Sequence, residues 1–569
     1  MLFKNTNQCL EKKTELMYDV ACIDIYNKLN DSVYISGQYE ECHECDFQNL
    51  TTLKPLSHTS IPVNTRSPFN FCYVVNNATM CRNKETLYEH YRYGWNISDQ
   101  CSKIYIEEPA DNAYLPILMA FVALFCFGTA WYMVKCIYKS SSRLKELLAR
   151  SSELEKDLGW SASAPLVIER PPSVKKHSHR IKSIDVFRGL CIIIMIFVNY
   201  GGGHYWFFQH SSWNGITVAD LVFPWFGWLM GISLAISMQN KLRRAVPRRQ
   251  LLFHIFKRCA ILVFLGIVIN SSHDISNNGQ SVAQLRFPGV LQRLGLCYLV
   301  IGIIEVIFTK RTEIDNVSWI SDIGRAWPQW CFVIGLVAVH TCITFLVDVP
   351  GCGRGYLGPG GLEDHGKHFN CTGGVAGYID RLTFGNHMYQ HPDCQKLYEN
   401  KVFFDPEGIQ GTLTAILTVY MGVQAGRTLV TYQNVKAKMI RWIVWGVAAN
   451  LLGGSLCSFS KNGGPIPLNK QLWSLSFALV TGGMAFIIEA FLFMTVDIWK
   501  KWGGRPFFYP GMNAIVLYVG HEIFKNTFPF GWIPTAETHA AYLFMNLWGT
   551  ALWVAFAIYL YKHDTFFSI

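Results

Sequence analysis

The sequence predicts an α-helical multi-pass integral membrane protein with about eleven transmembrane helices and a small amino-terminal luminal β domain. Three observations carry the prediction. Charged residues are 16% of the 569, against 50% hydrophobic, where a soluble globular chain has roughly a quarter charged. Apolar runs of near-spanning length recur between polar loops. Lys and Arg collect on alternate loops, the pattern of a chain threaded back and forth across a bilayer.

The spans are expected near 113–138, 184–201, 217–239, 251–270, 287–308, 328–348, 408–430, 438–457, 472–496, 508–524 and 540–561. Basic residues cluster in the loop after the first span, in KLRRAVPRRQ (241–250), at Lys310 and Arg311, around Lys436, Lys438 and Arg441, and at Lys500, Lys501 and Arg505. That side is read as cytosolic. The net charge of +10 then reflects topology and contact with an anionic lipid bilayer. Nucleic-acid binding is excluded, because no aromatic-basic binding motif accompanies the charge.

The other side receives residues 1–110, the stretch after Gly201, the 349–407 loop and the 525–539 loop, and it reads as oxidising. Residues 1–110 hold seven cysteines (Cys9, Cys22, Cys42, Cys45, Cys72, Cys81 and Cys101), and the 349–407 loop adds Cys352, Cys371 and Cys394. N-glycosylation sequons stand at Asn49, Asn77, Asn96 and Asn370. Disulfides in a luminal compartment account for this usage, and seven being odd, one cysteine is left free or pairs elsewhere. Cys42 and Cys45 form a CxxC with no second pair at zinc spacing. The loop histidines His365, His368, His387 and His391 show no ligand spacing either, so no metal is expected.

The domain boundaries follow. Residues 1–110 form the disulfide-bearing β domain, in which DVACIDIY and NDSVYISGQY alternate like paired strands. Residues 111–138 are the first transmembrane helix. Residues 139–183 are a cytosolic linker with a short helix at LKELLARSSELEKDL, 184–562 the multi-span transmembrane domain with the luminal loop 349–407, and 563–569 a cytosolic tail. A luminal amino-terminal domain needs a leader, and MLFKNTNQCLEKKTELMYDV has no apolar h-region, so the sequence is expected to have lost its true start.

Ionisable residues inside spans are costly and usually functional. Asp185 and Arg188 open the second span at its cytosolic end. Snorkelling or an i,i+3 pair covers them, but not Arg293, more than a turn inside the fifth span. Asn199, His204, His210, Asn214 and Asp220 gather at one membrane face. A histidine there can take a proton from an attacking group or be acylated itself, and Asp220 can orient the ring. Gly201, Gly202 and Gly203 let backbone N–H groups approach a substrate. These residues alone leave an enzyme and a proton-coupled organic-anion transporter nearly level.

The segments SIDVFRG, FVNYGGG and WFFQHSSWNGITVADLVFPWF resemble the lysosomal heparan-alpha-glucosaminide N-acetyltransferases. Further matches are PGVLQRLG (288–295), PGC and GYLGPGGL (350–362), CTGGVAGYIDR (371–381), YQHP (389–392), DPEG (405–408), LNKQLWSLSF (468–477) and FFYPGMNAIVLYVGHE (507–522). They run in order over residues 184–562. The resemblance implies transfer of an acetyl group from cytosolic acetyl-CoA, a cosubstrate, to the amine of the non-reducing terminal glucosamine of heparan sulfate inside the lysosome. Heparan sulfate oligosaccharide, acetyl-CoA and the bilayer are the implied partners, with a homodimer as a further candidate.

The family's catalytic histidine falls on His210, with Asn199 and Asp220 as its orienting neighbours. The family pattern has a lysine where His204 stands, a departure that weakens a catalytic role for His204 alone. Both an acetyl-histidine intermediate and direct attack within a ternary complex suit the motif. Arg188, Lys257, Arg258 and Arg293 are the candidates for holding the cosubstrate. Asn214, Asp405, Glu407 and His521 are the candidates for the acceptor sugar. The alternatives are the transporter, which releases no free CoA, and a membrane O-acetyltransferase acting on another glycan.

Overall fold

The structure, a computed structural model, describes residues 9, 17–76, 78–157, 180–275, 285–309, 318–390 and 392–567. Asn77, Lys310, Arg311, His391 and residues 158–179 of the linker lie outside them. The chain divides into two compact units, Asn112–Arg180 and the remainder.

The amino-terminal part of the larger unit is an eight-stranded β-sandwich: β1 Val20–Asn27, β2 Val33–Tyr39, β3 Gln48–Leu53, β4 His58–Asn64, β5 Phe69–Val75, β6 Ala78–Glu85, β7 Arg92–Ile97 and β8 Tyr105–Glu108. One sheet runs β4-β1-β7-β8 and the other β3-β2-β5-β6, with β1 and β7 parallel and the other pairs antiparallel. Period-2 burial drives this, since the inward sides of both sheets supply Ile23, Ile25, Val33, Ile35, Phe71, Tyr73 and Trp95 to one core. Each such side chain contributes about 1.5–3 kcal/mol when fully buried. The expected pairing of DVACIDIY with NDSVYISGQY is corrected: β1 pairs with β4 and β7, β2 with β3 and β5. The Asn27 side chain accepts from Leu29 N–H (3.0 Å) and donates to the Asp31 and Lys54 carbonyls (2.9 Å each). This fixes a turn that carries the chain from one sheet to the other.

Cys9–Cys22, Cys42–Cys45 and Cys81–Cys101 are disulfides in this region, and Cys352–Cys371 closes part of the 349–407 loop. Cys72 is the odd cysteine, free and buried, and Cys394 is likewise free.

The smaller unit contains α1, Leu115–Asp157, one continuous 43-residue helix. The short helix expected at LKELLARSSELEKDL is therefore its continuation, since the stretch has no breaker and good helix formers throughout. Its apolar part, Leu115–Ser142, has no buried residue, as a lipid-facing span would not.

The larger unit continues with α2 Lys182–Asn199, α3 Val218–Arg243, α4 Arg248–Ile275, α5 Val290–Phe308, a turn α6 Ser321–Gly324, α7 Trp327–Leu346, α8 Gly374–Phe384, a turn α9 Gln395–Tyr398, α10 Ile409–Thr431, α11 Val435–Leu456, α12 Leu475–Leu492, α13 Phe508–Met512, α14 Ala514–Phe524 and α15 His539–Lys562. Among the described residues nine helices are long and apolar enough to cross a membrane. The other two expected spans are α2, which carries Lys182, Asp185 and Arg188 in its first two turns, and α13–α14, which breaks at Asn513.

Small residues let the helices meet closely, as is usual where lipid removes the hydrophobic drive for association. A Cβ on Gly231 of α3 would run into the Val419 carbonyl of α10, and one on Gly422 into the Trp228 carbonyl of α3. Gly189 of α2 and Gly511 of α13 stand in the same relation to the Phe507 and Asp185 carbonyls. At one end of this bundle, loop 349–407 and the sandwich close over the helix termini. Ser212 donates to Glu41 (2.5 Å), the Tyr398 hydroxyl to the Glu41 carbonyl (3.3 Å), and His365 N–H to the Glu44 carbonyl (3.0 Å).

Candidate functional site

Helix α2 ends at Asn199, and after Tyr200 three glycines turn the chain through left-handed backbone (Gly201 φ 118°, Gly202 58°, Gly203 67°) that side chains would strain. Asn546 of α15 pins the turn, accepting from Gly203 N–H (2.8 Å) and donating to the Tyr200 carbonyl (2.6 Å). Two short 3₁₀ turns follow, and His210 lies just after them. Thr217 then caps α3, with Asp220 at the third helical position accepting from Thr217 N–H (3.1 Å) and hydroxyl (3.0 Å).

That capping box delivers the buried Asp220 carboxylate to the histidine. His210 Nδ1 lies 2.8 Å from Asp220 Oδ1, and Ser211 N–H donates to Oδ2 (3.2 Å). Nδ1–H directed at the carboxylate leaves Nε2 with its lone pair. The His210 side chain is 35% exposed, whereas Asp220 has no exposure. Lys470 completes the group, its Nζ 2.8 Å from His210 Nδ1, 3.3 Å from Nε2 and 3.3 Å from Asp220 Oδ1. The ammonium thus sets a positive charge beside the buried carboxylate. Lys470 was not singled out from the sequence. The signal was a lone lysine between apolar runs in LNKQLWS.

Asn214, expected to hold sugar, joins two loops. Its carboxamide accepts from Asn469 (3.1 Å) and donates to Asn462 (3.1 Å), and Gly215 N–H bonds the Leu468 carbonyl (2.8 Å). This seam places Lys470 beside His210.

Asn199 and His521 are brought together as well. His521 Nδ1–H donates to the Leu517 carbonyl (3.0 Å), so Nε2 accepts from the Asn199 amide (3.0 Å), which also donates to Glu522 (2.8 Å). With the amide hydrogens held inside the bundle, the Asn199 carbonyl oxygen is its polar atom available outward.

Outward lies a cavity of about 880 Å³ whose wall includes Asn199, Gly201, His204 and His210, together with Tyr39 and Arg66 of the sandwich region and Tyr389 of the long loop. It is roomy enough for a sugar and the end of an acyl donor. Asp405 and Glu407 are not on that wall. Both bind Arg286, which reaches Asp405 through Nε (2.8 Å) and Nη2 (2.7 Å). Burial acts against the charged forms, yet the carboxylates hold the guanidinium pKa above its usual value, and Arg286 holds Asp405 below the usual carboxylate range. Asp405 also accepts from Tyr389 N–H (2.9 Å), and Arg286 stacks on the Tyr389 ring (4.9 Å). The pair therefore shapes the cavity through Tyr389.

The basic residues expected to hold the cosubstrate fall in different places. Arg188 binds Asp185 (3.3 Å), the Gly511 carbonyl (3.3 Å) and Ser233 (2.9 Å), where α2, α3 and α13 meet. Lys257 is exposed on α4. Arg258 stacks on Tyr298 (4.5 Å), with Nε unpartnered among the described residues. Arg293 is buried, bonds the Gly408 carbonyl (2.9 Å) and lies over Trp473 (5.1 Å), with Nε and Nη1 unpartnered. Trp473 is three residues from Lys470 in the chain.

The sandwich is clasped to the glycine turn. His539 of α15 bonds the Gly203 carbonyl through Nδ1 (2.7 Å) and faces Glu89 (2.9 Å) and Asp19 (3.4 Å) through Nε2, while Tyr205 stacks on its ring (4.2 Å). Ligand-type atoms of the three lie within 4.8 Å of one another, and an imidazolium between two carboxylates accounts for the arrangement. His204 stacks on Tyr18 (4.3 Å); burial lowers its pKa, and His539 adds to the effect. Asn49 and Asn370 are exposed, and Asn96 is half-buried beside Tyr105.

A model of the heparan-alpha-glucosaminide N-acetyltransferase catalytic region matches residues 180–316. The chain is 38% identical to the mouse (Mus musculus) heparan-alpha-glucosaminide N-acetyltransferase and 39% identical to the human (Homo sapiens) one, each alignment covering 98% of this chain and 90% of the relative. Likeness of that extent, from the sandwich to the last helix and through the His210 loop, places the chain in the heparan-alpha-glucosaminide N-acetyltransferase family.

Proposed function

We propose that this protein is a membrane N-acetyltransferase that moves an acetyl group from acetyl-CoA to the amine of a terminal glucosamine of heparan sulfate. The observation that carries the reading is His210, held by Asp220 and Lys470 at the wall of the 880 Å³ cavity. The glucosamine amine attacks the thioester carbonyl, and its proton passes to His210 Nε2. The new C–N bond forms as the C–S bond breaks, and the departing thiolate is protonated to free CoA. The Asn199 carbonyl oxygen accepts from the amine and fixes its lone pair toward the acetyl carbon.

The sandwich end of the bundle is luminal in this reading, and the membrane is lysosomal. Support comes from the disulfides and exposed sequon residues at that end, and from Lys241, Arg243, Lys436, Lys438, Lys500 and Lys501 at the other. The cosubstrate enters from the basic end, with Arg258 and Arg293 donating to it on the way. Purified protein given acetyl-labelled acetyl-CoA and glucosamine at mildly acidic pH should yield labelled N-acetylglucosamine and free thiol, and His210→Ala should yield neither. Stoichiometric CoA release from the wild type without acceptor would replace direct attack by an acetyl-histidine route. Neither product nor thiol, from protein that binds acetyl-CoA, would return the protein to the transporter class.

A further inference from the structure

The wall of the large cavity carries acids and bases in unlike states. Glu41 accepts from Ser212 (2.5 Å) and lies 3.5 Å from Lys461 Nζ. Asp393 accepts from Gln471 (2.9 Å), and Asp19 faces His539 (3.4 Å). Each acid is thus engaged with a group of the protein. Three cations on the same wall, Arg66, Lys396 and Lys525, have no carboxylate partner among the described residues. They come from three parts of the chain. Arg66 follows β4 in the sandwich, Lys396 sits on α9 of the long loop, and Lys525 ends α14, three residues past Glu522. The charge the cavity has to offer a ligand is therefore positive, and it is spread around the opening.

We propose that Arg66, Lys396 and Lys525 form an anion-reading collar that binds carboxylate or sulfate groups on the sugars behind the terminal glucosamine, so that the β-sandwich takes part in acceptor recognition. This rests on the N-acetyltransferase reading and adds to it the part of the substrate that does not react. A uronate carboxylate one sugar away, or a sulfate beyond it, meets the cations while the amine lies near His210. Arg66 can grip either group in bidentate fashion, and the lysines act as point charges. Collar charges at a wet opening attract a polyanion over distances comparable to the Debye length and are screened by salt.

Two acceptors separate the collar from the chemistry: the neutral methyl α-glucosaminide and a glucosaminyl-uronate oligosaccharide with sulfate groups. In the wild type the anionic acceptor should have a KM about tenfold or more below that of the neutral one, rising steeply between roughly 50 and 300 mM salt. Replacing Arg66, Lys396 and Lys525 together by alanine should raise KM for the anionic acceptor by about tenfold or more and flatten its salt dependence. The neutral acceptor should be turned over as by the wild type, which also reports on folding. Equal KM values for the two acceptors in the wild type, or an equal rise for both in the variant, would overturn the collar. Failure of the wild type to acetylate the neutral acceptor would instead count against the transferase reading.

Discussion

The Nζ of Lys470 lies 2.8 Å from His210 Nδ1 and 3.3 Å from Asp220 Oδ1, three groups from the loops before α3 and α12 and the first turn of α3 itself. The lysine supplies a positive charge beside the buried Asp220 carboxylate and packs against the His210 ring. Lys470→Met should therefore lower kcat by about 10²–10³-fold while the protein stays folded, and Lys470→Arg should recover part of it. Wild-type turnover by the methionine variant, measured as CoA release, would remove Lys470 from the mechanism.

Asn199 has its amide hydrogens committed to His521 and Glu522. Asn199→Ala should lower kcat about 10–100-fold with a smaller change in KM for acetyl-CoA. Asn199→Asp should be worse, because it sets a carboxylate against Glu522. An alanine variant changed in the acetyl-CoA KM alone would place Asn199 on the donor side.

Arg286 binds both Asp405 and Glu407. Arg286→Ala should destabilise by about 3–5 kcal/mol, since it strands two buried carboxylates. Asp405 is held below its ordinary value of 3.8 by the guanidinium, against the effect of burial. A depressed carboxylate contributes above its unfolded pKa and loses that contribution as pH falls through the folded one. The Tm deficit of Asp405→Asn should accordingly be alike at pH 5 and pH 7. A deficit that disappears at pH 5 would contradict the pairing.

Asp380 on α8 behaves oppositely. Burial pushes its pKa up to about 6, although Ile409 N–H donates to it (2.9 Å). Here the folded state binds the proton more tightly, so the penalty is absent below the ordinary 3.8, grows through about 6 and is complete above. Asp380→Asn should therefore gain stability relative to the wild type between pH 5 and 7.5, by about 1.5 kcal/mol. Thermal melts at the two pH values decide it. Parallel shifts would mean that Asp380 is ionised throughout.

Much of this was legible in the sequence where one local property decides the outcome. Hydropathy located α3, α5 and α10, and alternation marked β1 and β2 as strands, because burial repeats along a single element. Pairing was not legible. Which sheet β2 joins depends on a turn set by Asn27, and no periodicity records a turn's direction. At the site, the spacing of His210 and Asp220 follows from the helix cap between them, so both could be named. Lys470 approaches from 260 residues away, and Asp405 resembles a ligand-binding acid until Arg286, itself 119 residues distant, is seen beside it. Contacts between remote segments leave only their residue types in the sequence.

The clasp of Asp19 and Glu89 on His539 has a consequence in time. Synthesis completes the sandwich early, and its two acids wait for a histidine roughly 450 residues behind, tens of seconds at ordinary elongation rates. Asn546, which pins the glycine turn before His210, emerges later still. Helix α15, made after the sandwich, is thus the one that locks both it and the His210 loop. Lesions that remove only the final helix should silence the protein as completely as those that strike His210, while leaving a folded sandwich exposed to quality control.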